Sequence, residues 1–166
     1  LVTQEGTAYV GVAKALARQW EQVGVVVKLK TVDSTNLQQS YIRPRNYDVL
    51  LYGLNVGADP DVYAYWHSSQ AADPGLNLSA YSSAAVDKAL EGGRTVSDPG
   101  VRAAKYKAFL QAWMADNPAI MLYSPTYIYG VDKEAHITKP RKLVSPSDRF
   151  YGIEDWSVRV RTLQRQ

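Results

Sequence analysis

The densest run of chemically capable side chains lies just after an apolar stretch, where Asn55, Asp59, Asp61, Tyr63, Tyr65, Trp66, His67 and Ser68 follow one another closely. A histidine near two carboxylates and a hydroxyl is raw material for a hydrolase, with His67 as base and Asp59 or Asp61 orienting its ring. The spacing argues against it. Ser68 adjoins His67, no Gly-x-Ser-x-Gly elbow flanks it, and a triad is defined by geometry and not by proximity along the chain. With His67 and His136 as the two histidines and no cysteine, no zinc site, disulfide or thiolate nucleophile is expected, and no cofactor is implied.

The same residues suit binding better than catalysis. Twelve Tyr and four Trp against two Phe give the chain many rings with an apolar face and a polar handle, suited to lining a cleft or to filling a core. Asn55, at the end of an apolar run, either faces a cleft or satisfies a turn. Asp59 before Pro60 either shapes its loop or touches a ligand. Tyr63 and Trp66 either line the cleft or brace the loop from beneath, and Tyr123 and Tyr127 read first as core rings.

A chain of 166 residues is one domain in length, and at this size about 70% of the unfolded surface is buried on folding. Hydrophobic residues at 46% and charged residues at 21% describe a folded globular protein. The net charge of +3 is spread along the chain. In the last part, Lys133, Lys139, Arg141, Lys142, Arg149, Arg159, Arg161 and Arg165 alternate with Asp132, Glu134, Asp148, Glu154 and Asp155, the pattern of a solvated face; no nucleic-acid partner is expected. No stretch approaches the roughly 18 apolar residues of a membrane span, and no basic start precedes an apolar signal region. A mature or truncated soluble product fits both features.

The elements that must position these residues follow from periodicity. Tyr9, Val12, Ala13, Leu16, Ala17 and Trp20 recur at helical intervals between Gly6 and Val23, with Gly24 as the stop. Val25 to Val32 alternates Val27, Leu29 and Thr31 against Lys28 and Lys30, which predicts a strand parallel to a stub at Leu1 to Thr3. A short helical turn capped by Asp33 or Ser34 is expected to bury Leu37 and Tyr41 before Pro44. Tyr47 to Val56 is an apolar run of strand length, read as a central strand covered on both faces. Its end, at Gly57, Asp59 and Pro60, is where α/β proteins place ligands.

Ala71 to Ser79 reads as loop and Ser83 to Arg94 as a helix with Val86 and Leu90 inward. A second helix begins at Asp98 as cap with Pro99 in first position, buries Ala103, Tyr106, Leu110, Trp113 and Met114, and stops at Asn117 and Pro118. Ala119 to Val131 predicts a strand with Tyr123, Tyr127 and Tyr129 on one face, with Pro125 favouring an edge or a bend. Connecting loops follow, and Trp156, Val158 and Val160 form a last alternating segment.

In order and wording these segments resemble the extracellular solute-binding proteins of family 5, which include dipeptide-, oligopeptide- and nickel-binding receptors of ABC importers. The resemblance is carried by ALARQWEQVGVVVKLKTVD from Ala15, YDVLLYGLNVGADPDVYAYWHSSQ from Tyr47 and YSSAAVDKAL from Tyr81. It continues in DPGVRAAKYKAFLQAWMADNPAIMLYSPTYIYGV from Asp98 and DRFYGIEDW from Asp148.

The resemblance implies an α/β fold, a mixed central sheet with flanking helices forming one lobe of a class II periplasmic-binding-protein fold. Residues 1–147 would be the second, carboxy-terminal lobe, and 148–166 a tail returning to a first lobe. It implies a binding protein and not an enzyme, located outside the cytoplasm in a periplasm or as a lipoprotein on the outer face of the membrane. Its partners would be a peptide or similar small solute, the first lobe and an ABC permease. The implied ligand wall comprises Asn55, Val56, Gly57, Asp59, Tyr63, Trp66, His67 and Tyr123. In peptide-binding members an aspartate a few residues before the Asp-Pro or Glu-Pro step pairs with the peptide's amino group. The matching position here is Val56, flanked by Asn55 and Gly57. An aliphatic side chain cannot hold an ammonium group, so Asp59 or Asp61 would have to serve from elsewhere, or the ligand is a longer peptide held by its backbone, a sugar or a metal chelate. A plain protein-interaction domain is the other alternative.

Overall fold

The computed structural model describes residues 1–139 and 143–158, so expectations placed on Pro140, Arg141, Lys142, Arg159, Val160, Arg161 and Arg165 lie outside the described residues. The chain forms two compact units, one of Leu1–Val56 with Pro60–Ile120, the other of Gly57–Asp59 with the chain from Met121 onward.

In the first unit, strand β1 (Val2–Gln4) lies between β2 (Lys30–Val32) and β3 (Leu50–Leu51), and both pairings are parallel. Helix α1 (Thr7–Glu21) connects β1 to β2, completing the expected strand, helix, strand unit. Its stripe from Tyr9 through Trp20 is buried or half-buried. Gly24, at φ +86°, closes it with bonds from Gly24 N to the Glu21 carbonyl (3.0 Å) and from Val25 N to the Trp20 carbonyl (2.9 Å), a Schellman termination. After β2, Asp33 caps a helical turn, α2 (Ser34–Asn36), that continues as a π turn over Leu37–Ile42. Leu37 and Ile42 are buried there and Tyr41 is half-buried. Buried Thr3 ties β1 to β3 through a hydroxyl bond to the Leu51 carbonyl (2.9 Å).

The expectations for strands need correction. Val25 to Val32 forms a ladder only over Lys30–Val32, and Val32 is buried there while Thr31 is exposed. Tyr47 to Val56 is not a central strand: only Leu50–Leu51 pairs, with β1 alone, and Val49, Tyr52, Leu54 and Val56 are exposed. Apolar character suggests a strand, but a central position needs a paired neighbour on each side, and that position belongs to β1.

The larger core of this unit joins a short helix, α3 (Tyr63–Trp66), to α4 (Ala84–Arg94) and α5 (Pro99–Asp116). Asp98 caps α5 by accepting from Val101 N (2.8 Å), Pro99 opens it and left-handed Asn117 ends it. Trp66, Val86, Ala89, Leu90, Tyr106 and Phe109 form the buried centre. Gly93 allows the close approach, because a Cβ there would stand 2.8 Å from the Tyr106 ring. The inward face of α5 is Tyr106, Phe109 and half-buried Trp113. Leu110 and Met114, expected inward, are 51% and 71% exposed, since a helix face about 100° wide cannot hold both rows.

In the second unit, β4 (Ala135–His136) pairs antiparallel with β5 (Ser157–Val158). A 3-10 turn at Pro146–Phe150 is tied by Asp148, whose carboxylate accepts from Val144 N (2.7 Å), Ser145 N (2.9 Å) and the Ser145 hydroxyl (3.1 Å). Those two backbone bonds, Ser145 first, hold the Asp148 carboxyl below its ordinary pKa. The strand expected over Ala119 to Val131 does not form among the described residues, although Tyr127 and Tyr129 do share a face, with ring centroids 6.4 Å apart. Parallel and antiparallel pairing are therefore split between two small sheets in an α/β chain.

Candidate functional site

Residues 52–60 are exposed along their whole length, and the chain dips into the core at α3. Asp61 begins the descent. Its Oδ1 accepts from Tyr63 N (3.1 Å), and its Oδ2 meets Arg94 Nε at 2.9 Å, so its charge is already compensated. Trp66 is buried against Trp113 in an edge-to-face contact at 5.1 Å, so in this chain it braces the segment from beneath. Tyr65 turns the other way, and its hydroxyl donates to the Asn55 carbonyl (2.8 Å).

His67 is 6% exposed and is held on every side. Its Nδ1 accepts from Ser69 N (3.1 Å) and lies 2.8 Å from the Ser69 hydroxyl, while Nε2 faces Glu91 Oε1 at 3.3 Å. The Tyr63 ring stacks on the imidazole at 4.1 Å, and the Arg94 guanidinium covers the other face of Tyr63 at 4.4 Å. Ser68, the one hydroxyl adjacent to His67 in sequence, gives its N–H (2.9 Å) and its hydroxyl (2.5 Å) to Asp87. Ser68 is thereby committed to Asp87 and fixes the segment to α4, while the hydroxyl beside the imidazole is that of Ser69.

Below it, Asn77 is fully buried and saturated. Its amide donates to the carbonyls of His67 (3.1 Å) and Tyr81 (2.8 Å), and its oxygen accepts from Tyr81 N (3.1 Å) and the Ser79 hydroxyl (3.2 Å). The chain on either side of it is held by Arg45, which donates to the carbonyls of Ala71 (3.1 Å) and Gly75 (2.6 Å), and by the Tyr47 hydroxyl on the Leu78 carbonyl (2.6 Å). Burial raises the Tyr47 pKa, with nearby Arg45 opposing.

The structure therefore groups Asn55, Tyr63, Trp66 and His67 around α3, with Val56 adjoining and 48% exposed. Gly57, at φ +67°, Asp59 and Tyr123 belong to the second unit, and Tyr123 is 59% exposed, away from the core role it first suggested. Sequence reasoning missed Asp87, Glu91, Arg94 and Asn77. The first three recur at intervals of four and three residues, a polar edge beside the apolar stripe of α4, and that spacing was the available signal.

No family model matches the chain. Among curated proteins it is 27% identical over 150 residues to the oligopeptide-binding protein AppA of Bacillus subtilis, covering 87% of this chain and 26% of AppA. The structure of AppA in complex with a nonapeptide aligns over 96% of this chain and 31% of that one, at 25% identity and a TM-score of 0.69. These relatives are family 5 solute-binding proteins, and this chain is similar to a part of each. Protein XP55 of Streptomyces lividans is 34% identical to this chain over 120 residues, 70% of it and 21% of XP55. The fold is shared with NikZ of Campylobacter jejuni, solved with Ni(L-His), at a TM-score of 0.68 and 24% identity over 94% of this chain and 32% of NikZ. The chain thus spans between a fifth and a third of the length of these relatives. Among the described residues no helix is long and apolar enough to cross a membrane.

Proposed function

We propose that this chain belongs to the substrate-binding component of an ABC importer, a receptor that captures a peptide or similar small solute in a cleft between two lobes and delivers it to a permease. On this reading, residues 1–147 form most of the second lobe, and 148–166 return toward the first. The receptor works outside the cytoplasm, in a periplasm or anchored as a lipoprotein, and performs no catalysis. The observation that carries the reading is the likeness to an oligopeptide-binding protein over 87% of the chain.

The proposed ligand-contacting residues are Asn55, Val56 and Tyr63 of the first unit, with Trp66 and His67 bracing them from beneath, and Gly57, Asp59 and Tyr123 of the second. A binding wall of this kind needs a few fixed polar groups and rings that exclude water. Val56 is aliphatic and Asp61 is compensated by Arg94, so neither anchors a free amine. Solutes held by backbone contacts and ring stacking fit the wall better than ones that depend on a charged terminus. Native mass spectrometry of the intact receptor, purified without added ligand, is expected to find a solute of peptide mass. A receptor that carries no solute and retains none from a peptide mixture would sink the proposal.

A further inference from the structure

We propose that helix α4 sets the position of the solute-contacting rim through a ladder of three side chains, Asp87, Glu91 and Arg94, with the Tyr65 hydroxyl as a second point of attachment. The inference rests on the receptor reading above.

The ladder follows from helical geometry. Intervals of four and three residues place the three side chains on one edge of α4. Ascending that edge, they meet the preceding segment in descending order. Asp87 holds Ser68 by its N–H and hydroxyl, at 2.9 and 2.5 Å, and Glu91 faces His67 Nε2 at 3.3 Å. Arg94 pairs with Asp61 at 2.9 Å while stacking on Tyr63. The neighbouring stripe of Val86, Ala89, Leu90 and Gly93 is buried, so the polar edge stands on a rigid support. Eight residues of chain, Asp61 to Ser68, are thereby registered against one helix.

The rim itself, Asn55 to Asp61, is tied at both feet. Arg94 and Tyr63 N hold the Asp61 carboxylate, and the Tyr65 hydroxyl holds the Asn55 carbonyl at 2.8 Å. Both ties start from groups that cannot shift independently, because Tyr63 is stacked on His67 and α3 also carries buried Trp66. The side chains of Arg94 and Asp61 are 49% and 27% exposed, and an ion pair that open contributes little to global stability. Its effect falls on where the rim sits. Arg94 and Tyr65 are thus positioning residues: neither needs to touch the solute to control how well the rim does.

The test uses the intact receptor and a synthetic nonapeptide pool, with peptide affinity, melting temperature and amide hydrogen exchange over residues 55–61 measured for each variant. Arg94→Gln is expected to weaken peptide binding about tenfold and Tyr65→Phe about threefold, with faster exchange over residues 55–61 and little change in melting temperature. Arg94→Lys restores the charge on Asp61 but not the planar stack on Tyr63, so its affinity should fall between those of wild type and Arg94→Gln. Unchanged exchange over residues 55–61 in both Arg94→Gln and Tyr65→Phe, in a receptor whose wild type binds the pool, overturns the ladder and leaves the receptor reading standing. Faster exchange without weaker binding also overturns it, because the rim would then not set affinity. A wild type that binds no peptide overturns the receptor reading itself, and the ladder's role in affinity falls with it.

Discussion

Helices α4 and α5 and the stretch from Met121 to Val131 are comparably rich in large apolar side chains, yet their fates differ. The helices bury Val86, Leu90, Tyr106 and Phe109, whereas Met121, Tyr123 and Ile128 stand 77%, 59% and 89% exposed. A helix satisfies its backbone within itself, so two helices separated by a short loop need only one shared face to close a core. A strand satisfies its backbone only through a neighbour, and its apolar face only through a covering layer. Met121 to Val131 finds neither within the described residues. The contrast is between a helical pair that closes a core locally and a strand-like stretch that stands exposed among the described residues.

Substitutions should separate the two regions sharply. Leu90→Ala opens a cavity at a fully buried position and is expected to cost about 2–5 kcal/mol in chemical denaturation, against less than about 0.5 kcal/mol for Ile128→Ala. Equal losses at the two positions would erase the distinction. Asn77→Ala leaves buried carbonyl and amide groups of His67 and Tyr81 without partners, and about 1–3 kcal/mol should be lost. Asn77→Asp should be no substitute, because a carboxylate cannot donate to the two carbonyls.

The units also differ in their response to pH. Tyr47 has a folded pKa raised above 10.0, so it favours the fold while neutral, and that contribution is lost as pH rises from 10.0 through the folded value. Tyr81 acts in the same sense, through burial and its bond to Asp116. Tyr47→Phe should flatten the alkaline fall in melting temperature. Asp148 has a folded pKa below 3.8, so its tie to Ser145 and Val144 is fully present above 3.8 and lost as pH falls through the folded value. An NMR titration of Asp148 should show its midpoint below that of an unstructured aspartate, and an ordinary midpoint would mean the tie does not persist in solution.

Much of the first unit was legible in the sequence, since caps and stops act locally. Asp33, Asp98, Pro99, Gly24 and Asn117 each do in the fold what their residue type suggests. Strands were less legible: the apolar run at Tyr47 to Val56 outranked the short Val2–Gln4 in pattern, yet the latter holds the centre of the sheet. The aromatic cluster after Pro60 was visible, but its division into buried Trp66 and His67 and more open Tyr63 was not, because that depends on which face meets α4. The spacing of Asp87, Glu91 and Arg94 is plain in the sequence, while their partners lie up to 33 residues away along the chain (94 − 61) and only the fold pairs them.

The most direct test of the shared-cleft claim compares this chain alone with the intact receptor in isothermal titration with the same peptides. Binding strength depends on enclosing the solute, so the intact receptor should release measurable heat and this chain none above background. Tight binding by this chain alone would contradict the claim that its wall is one side of a two-lobed cleft.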